Sequence, residues 1–268
     1  MPAARPLITL LTDFGDHDYF VASMKGVLLS INPNITVVDL SHQIPPHAVE
    51  QAAYVLASCY RYFPEGTVHI AVVDPGVGTS RRALLAKTSR HLFLAPDNGL
   101  LTAVLQDEPD VRIWAIDQAH RRKAEGPTFD GRDLFAPVGA LLTTGRSADS
   151  FGRGVDDAIR LPAAAPHWEG DALIGRIAHV DRFGNLISNV GYRDLDQAYG
   201  TRMRTVRIRL GSATIAGLVL SYAEGDPHRP HALINSNGQV EIFLKEGSAA
   251  ERLAVSRGAR VEFSAPAR

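Results

Sequence analysis

Three apolar runs that each break off at an acidic turn constrain this chain most. Leu7–Leu11, Val68–Val73 and His91–Ala95 lead into T-D-F-G (Thr12 to Gly15), D-P-G-V-G (Asp74 to Gly78) and P-D-N-G (Pro96 to Gly99). Short apolar runs bounded by Gly, Pro and Asp read as buried strands. Helical spacing fills the gaps between such strands. Tyr19–Ile31 is a predicted helix, stopped by Asn32-Pro33-Asn34, and Ala48–Tyr60 is a second. Ile35–Leu40, Leu84–Lys87 and Arg112–Ile116 read as further strands, Leu84–Lys87 forming a short pair with His91–Ala95, and Leu100–Gln106 and Phe135–Thr143 read as further helices. Strands alternating with helices predict an α/β domain, a doubly wound, largely parallel sheet. Such a sheet binds ligands beyond the carboxyl ends of its strands. Carboxylates repeated at that edge suit a ligand rich in hydroxyls or carrying positive charge. Asp, Gly and Pro are also ordinary turn formers, so spacing alone leaves both readings open.

The pattern changes near Leu161-Pro-Ala-Ala-Ala-Pro-His-Trp-Glu-Gly170, which reads as a linker. Beyond it helical spacing fades. Ala172–Val180, Met203–Leu210, Ala213–Leu220, Gln239–Leu244 and Arg260–Phe263 read as strands joined by Gly-rich turns. Two domains are expected: an α/β domain over residues 1–162 and an all-β, barrel-like domain over residues 170–268.

Composition narrows the partners. The chain has 268 residues, 45% hydrophobic and 21% charged, close to soluble globular averages. No apolar stretch approaches the roughly 18 residues of a membrane span, and Met1–Pro6 has no signal-sequence core. The single cysteine, Cys59, excludes an intramolecular disulfide and fits a reducing cytoplasm. It falls in a helix-like apolar pattern and reads as a buried small hydrophobe. Net charge is −1. The densest basic segment, Arg202–Arg209, alternates with period two, as the solvated face of a strand does, so neither nucleic acid nor membrane is an expected partner.

Several motifs fail on inspection. Gly76-Val-Gly78 lacks the third glycine of a dinucleotide fingerprint, and no G-x-x-x-x-G-K-[ST] loop occurs. The His42/His47 and His228/His231 pairs lack metal-ligand spacing, so no metal is expected. Two segments hold more chemistry. Gly126-Pro-Thr-Phe-Asp-Gly-Arg-Asp133 gathers two carboxylates and a guanidinium ahead of a helix, where Asp133 is placed to cap or charge-stabilise the first turn. Asp181-Arg-Phe-Gly-Asn185 reads either as hairpin chemistry or as an aromatic face for stacking a base, with an amide to read its edge.

Taken together these strings carry a resemblance. T-D-F-G, D-P-G-V-G-T-x-R-R, A-P-D-N-G-L-L, T-F-x-G-R-D-x-F-A-P and D-x-F-G-N occur in this order, followed by G-S-A-A-E-R-L from Gly247 to Leu253. The set resembles the S-adenosyl-L-methionine (SAM) hydrolase family, also called SAM hydroxide adenosyltransferases, relatives of the fluorinating and chlorinating SAM-dependent enzymes. It covers nearly the whole chain. The resemblance implies hydrolysis of SAM to adenosine and L-methionine by water attack at ribose C5′, with no cofactor. It also implies a homotrimer whose substrate lies between the N-terminal domain of one subunit and the C-terminal domain of the next.

Carried onto this sequence, the resemblance assigns Asp13 to the ribose hydroxyls and Asp18 to polar substrate contacts. Asp74 and Arg81 match the first two members of an Asp–Arg–His triad. Phe129 and Gly131 flank the reacting carbon. Asp181 and Ser236 match contacts to the methionine part, and Phe183 and Asn185 match adenine-binding positions. The triad histidine falls at position 130, where this chain has Asp130. Asp130 either shares the water with Asp74 or only caps the turn before the Phe135 helix. The fluorinase pattern has tyrosine in place of Asp74, serine in place of Gly131 and a long insertion that is absent here. The chlorinase pattern keeps the glycine but also has the tyrosine. The remaining alternatives are a SAM-dependent halogenase and a non-catalytic SAM- or adenosine-binding protein.

Overall fold

The computed structural model describes residues 5–162 and 165–265. Residues 1–4 of the chain start, and Ala163 and Ala164 of the expected linker, lie outside the described residues. The chain divides into two compact units, Met1–Leu161 and Pro162–Arg268.

The first unit runs β1 (Leu7–Thr12), α1 (Phe20–Ile31), β2 (Thr36–Ser41), α2 (Val49–Cys59), β3 (Val68–Val72), β4 (Ala83–Lys87), β5 (Leu92–Pro96), α3 (Thr102–Asp107), β6 (Arg112–Ile116), α4 (Ala136–Leu142) and β7 (Gly152–Val155). Its strands form one sheet in the order β2-β1-β3-β5-β4-β6-β7. Pairing is parallel from β2 to β5 and antiparallel from β5 through β4 and β6 to β7. The α/β class is as expected, and the parallel part is the half that carries the T-D-F-G and D-P-G-V-G turns. The β5–β4 pair is antiparallel for a local reason. The link from β4 to β5 is a tight turn in which Thr88 N–H donates to His91 O at 3.0 Å, too short for the crossover a parallel pair requires.

Both faces are covered, because strand side chains alternate. Ile8, Leu10, Ile70 and Val72 pack against α1 and α4 through residues such as Met24, Leu28 and Val138. Leu11, Ala71, Val73 and Phe93 face the other way, with Ala52, Leu56 and Val104 of α2 and α3 in the same cluster. Cys59 at the end of α2 is half-buried, and burial pushes its thiol up to about 11. The helix expected from Phe135 starts earlier, with a π-helical turn over Gly131–Phe135 that runs into α4. Such turns often mark functional sites.

The second unit runs β8 (His167–Glu169), β9 (Ala172–Val180), β10 (Leu186–Gly191), α5 (Tyr192–Tyr199), β11 (Arg207–Leu210), β12 (Ala213–Ala216), β13 (His231–Ile234), β14 (Gln239–Phe243), α6 (Ala249–Leu253) and β15 (Arg260–Ser264). The sheet order is β12-β11-β15-β9-β10-β14-β13, with β8 on β9. All pairs are antiparallel. Val219 N–H donates to Ala232 O of β13 at 2.8 Å just past β12, which nearly closes a barrel. Its core includes Ile177, Leu186, Ile208, Val240 and Phe263. Along β11 the arginines are exposed and Ile208 and Leu210 buried, as period two predicts. Arg202 and Arg204 sit instead on a 3-10 turn, and α5 and α6 are short helices that the strand pattern did not reveal. Among the described residues no helix is long and apolar enough to cross a membrane.

Candidate active site

Strands β1 and β3 are adjacent and parallel, with Thr12 level with Val72. Asp13 and Asp74 therefore leave the sheet at the same edge. Asp13 Oδ2 accepts the His47 backbone N–H at 2.9 Å, and Gly15 N–H donates to His42 O at 2.8 Å. The loop after β2 is thus fastened to the T-D-F-G turn. Asp18 is exposed in the bend before α1.

The D-P-G-V-G loop brings Arg81 back onto Asp74. Arg81 Nη2 donates to Asp74 Oδ2, and the same nitrogen donates to Asp130 Oδ2 at 2.7 Å. All three side chains are buried: 4% of each carboxylate side chain and 9% of the guanidinium side chain remain accessible. Arg81 Nη1 donates to Arg82 O at 2.9 Å, and Asp74 Oδ1 accepts the Gly76 N–H at 3.2 Å. The second oxygen of Asp130 accepts from Arg121 Nη2. Burial pushes the Asp74 carboxyl above its usual range. Arg81 and the Gly76 N–H oppose that push, and the nearby charge of Asp130 adds to it.

Asp130 opens the π-helical turn with helical backbone angles and makes no side-chain cap bond. Its carboxylate goes to the two arginines, so the turn-capping alternative does not hold. Asp133 makes a bidentate pair with its neighbour Arg132, at 2.7 Å to each oxygen, instead of capping the helix. Phe129 is buried in an aromatic triangle, 5.7 Å from Phe14 and 5.2 Å from Phe20 between ring centroids. A Cβ at Gly131 would lie 3.0 Å from Met24 Sδ and from Phe129 Cε2, tighter than ordinary contact. The wall beside Asp130 is therefore packed around a residue without a side chain.

The third acidic turn serves the scaffold. Asp97 is buried, accepts from Arg82 Nε at 2.7 Å and takes the Ile159 N–H at 2.8 Å. Asn98 Nδ2 donates to Val73 O at 2.8 Å, so the P-D-N-G turn braces the strand that delivers Asp74.

In the second unit the D-R-F-G-N turn joins β9 to β10. Asp181 Oδ1 accepts the N–H groups of Phe183 at 2.9 Å and Asn185 at 2.8 Å, and Oδ2 accepts from Asn185 Nδ2 at 2.9 Å. Asp181 thus shapes the turn and orients the amide. Gly184, at φ +80, lies so close to Ser248 that a Cβ would meet its Oγ at 2.1 Å. Only glycine suits that contact, which joins the turn to the G-S-A-A-E-R-L segment. A cleft of about 540 Å³ opens there, lined by Asp181, Phe183, Asn185, Tyr222, Phe243 and Gly247. Phe183 is 76% exposed. Ser236 is exposed in the turn between β13 and β14. Strand register places that turn at the other end of β14 from the D-R-F-G-N turn. Asn235, beside Ser236, donates to Glu241 at 3.2 Å, and the other oxygen of Glu241 accepts from Tyr222 of the cleft at 2.6 Å.

Sequence reasoning missed Arg121, which lies in a run with Arg122 and Lys123 that reads as a solvated loop. It also missed the backbone of His47, which no side-chain pattern could reveal.

Comparison with known proteins covers both units. Residues 8–152 match the SAM hydroxide adenosyltransferase N-terminal domain, and residues 175–262 match the C-terminal domain. An "(R)-S-adenosyl-L-methionine hydrolase" from Salinispora tropica is 35% identical over 98% of this chain and 99% of that protein. A "Fluorinase" from Actinoplanes sp. is 30% identical over 90% of this chain and 92% of its own length. The solved structure of an uncharacterized conserved protein from Thermotoga maritima superposes with a TM-score of 0.89 at 33% identity, covering 96% of this chain and 99% of that one. Both units match the two domains of one family in order, and the relatives run nearly end to end with the chain, which belongs to the SAM hydroxide adenosyltransferase family.

Proposed function

We propose that this protein hydrolyses SAM to adenosine and L-methionine. The observation that carries the reading is the buried pair of carboxylates on one arginine, beyond the ends of β1 and β3, in a chain akin to a named SAM hydrolase over its full length. Water attacks C5′ of the ribose in line with the C–S bond. The new C–O bond forms as the C–S bond breaks, and sulfur keeps the electron pair. Methionine leaves as a neutral thioether, so no acid is needed to protonate it and the chemistry calls for no cofactor or metal. The water's proton passes to Asp74, whose raised proton affinity suits a general base. Arg81 holds Asp74 in place by a charge-assisted hydrogen bond.

In this reading Asp13 binds the ribose hydroxyls, Asp18 contacts the substrate, and Phe129 and Gly131 wall the reacting carbon. Phe183 stacks on adenine while Asn185, oriented by Asp181, reads its edge. Asp181 and Ser236 serve the methionine part. The protein works as a cytoplasmic homotrimer, with Phe183 and Asn185 supplied by a neighbouring subunit.

Two features count against halide transfer. Buried carboxylates at positions 74 and 130 repel an anion, and a serine at position 131 would press into Met24 and Phe129. The presence of Asp130 where the family pattern has histidine favours one other reading, a protein that binds SAM without cleaving it. Mass spectrometry of SAM incubated with EDTA-treated protein, with and without chloride, separates these. Adenosine supports the hydrolase. 5′-Chloro-5′-deoxyadenosine or intact, bound SAM overturns it, and adenosine that appears only when zinc or magnesium is added overturns the metal-free mechanism.

A further inference from the structure

Asp130 brings a second negative charge into a buried site that Asp74 already occupies, and Arg81 offers one guanidinium to both. Two carboxylates on one cation leave an unmatched buried charge, which costs heavily unless it is paired. The structure supplies the missing cation. Arg121 Nη2 donates to Asp130 Oδ1, the oxygen that Arg81 leaves free. Arg121 is itself fixed on both sides. Its Nε donates to Gln118 Oε1 at 2.9 Å and its backbone N–H to Gln118 O at 2.9 Å. The next residue, Arg122, donates its N–H to Asp133 O at 2.8 Å, tying this segment to the π-helical turn that carries Asp130. The 3-10 turn holding Gln118 is capped by Asp117, whose carboxylate accepts the Ala119 N–H at 2.9 Å.

We infer that Arg121 is a positioning residue of this active site: by clamping Asp130 as a carboxylate bridge to Arg81, it keeps Arg81 aimed at Asp74 in a chain that has no histidine at position 130. Asp130 then accepts from two guanidinium groups, one on each oxygen. Asp74 meets one guanidinium and, on Oδ1, only the Gly76 N–H at 3.2 Å, so Asp74 is the carboxylate left to take a proton from water. The inference rests on the hydrolase reading for its catalytic consequence, and on the geometry for its electrostatic one.

The charged groups around the pair are few. Asp74 faces Arg81 and Asp130. Asp130 faces Arg81 and Arg121. The cleft beyond, about 520 Å³, adds Arg82, Asp117 and Arg153. Arg82 is held by Asp97 and Asp157, and the adjacent Arg132 is held by Asp133. Removing Arg121 therefore leaves the two buried carboxylates sharing one guanidinium.

The test is a ¹³C-carboxyl NMR titration of Asp74 in substrate-free protein, its signal assigned by loss in Asp74→Asn, alongside pH profiles of adenosine release from SAM. Arg121→Met is expected to raise the Asp74 midpoint by about one pH unit, a tenfold change in proton affinity, and to move the acid limb of kcat/KM with it. Arg121→Lys keeps the charge and restores the midpoint. In an Asp130→His background, Arg121→Met leaves the midpoint unchanged, because the carboxylate it serves is gone. Arg121→Gln reads the same shift if Arg121→Met does not fold. An unmoved midpoint in the wild-type background, or an equal shift in both backgrounds, overturns the inference. No adenosine from any form of the protein sinks the hydrolase reading instead, and the NMR shift still decides the role of Arg121.

Discussion

Asp74 and Asp130, 56 positions apart in the chain, rest their Oδ2 atoms on the same nitrogen, Nη2 of Arg81. Each is nearly sealed from solvent. Like charges so close are not both held cheaply, and the consequence falls on Asp74, whose carboxyl is pushed up by burial and further by Asp130.

Asp74→Asn is expected to lower kcat for adenosine formation by about a hundredfold or more, the usual worth of a general base, with little change in KM. The wild-type acid limb of kcat/KM should lie above the ordinary aspartate value of about 3.9. The sign follows from the base role: the carboxylate is active when deprotonated, so activity falls as pH drops through its raised value. Steady-state kinetics from pH 4 to 9 check both points. Wild-type kcat with only a raised KM would remove Asp74 from the chemistry.

Asp13→Ala should weaken adenosine binding by about 1.5–3 kcal/mol, since a carboxylate bridging two hydroxyls makes charge-assisted bonds. The substitution also frees the His47 N–H that Asp13 now accepts, so the loop after β2 should lose protection from hydrogen exchange. Calorimetry with adenosine is the decisive measurement. Unchanged affinity would refute the ribose assignment.

Light scattering should find a trimer, and mixed subunits should complement. Asp74→Asn chains retain Phe183 and Asn185, and Asn185→Ala chains retain Asp13 and Asp74. Co-refolded together, the two inactive variants should recover part of the wild-type rate through hybrid sites. A fully active monomer would sink the shared-site arrangement.

Acid should destabilise the fold through His69. This side chain is fully buried on β3, within 2.7 Å of Thr9 Oγ1 through Nδ1. Burial, with a smaller contribution from His91, pushes its pKa down to about 3. An unfolded histidine titrates near 6.5. Between those values the unfolded chain binds a proton that the folded chain refuses, so stability drops as pH falls from about 6.5 toward 3. The slope from one such group is at most about 1.4 kcal/mol per pH unit. Denaturant unfolding at pH 7 and pH 5 should show the loss, and His69→Gln should remove about one proton's share of it. An identical pH slope in wild type and variant would contradict the assignment.

The apolar runs that become β1, β3 and β5, and the helices between them, were legible in the sequence because periodicity is a local property. So was the solvated face of β11. Strand direction was less so. The short turn between β4 and β5 makes that pair antiparallel, as their closeness in sequence indicates. The antiparallel placement of β6 beside β4 and of β7 beside β6 joins distant segments and is not a local property. The short helices α5 and α6 stayed hidden because their few buried residues, such as Leu195 and Ala249, are decided by what the barrel packs beside them.

Asp74 and Asp97 make the same point about the site. Each follows an apolar strand in a turn rich in Gly and Pro, and residue type does not tell them apart. By itself the sequence determined the order of strands and helices, the turns that end them and the motif set that marks the family. Tertiary structure alone decided that Asp97 is spent on Arg82 and the Ile159 N–H while Asp74 shares Arg81 with Asp130. It alone drew Arg121 out of a basic loop to balance the second carboxylate. The physical reason is that the state of a buried charge depends on desolvation and on the partner that distant chain segments deliver, and neither is a property of the residue's own neighbours in sequence.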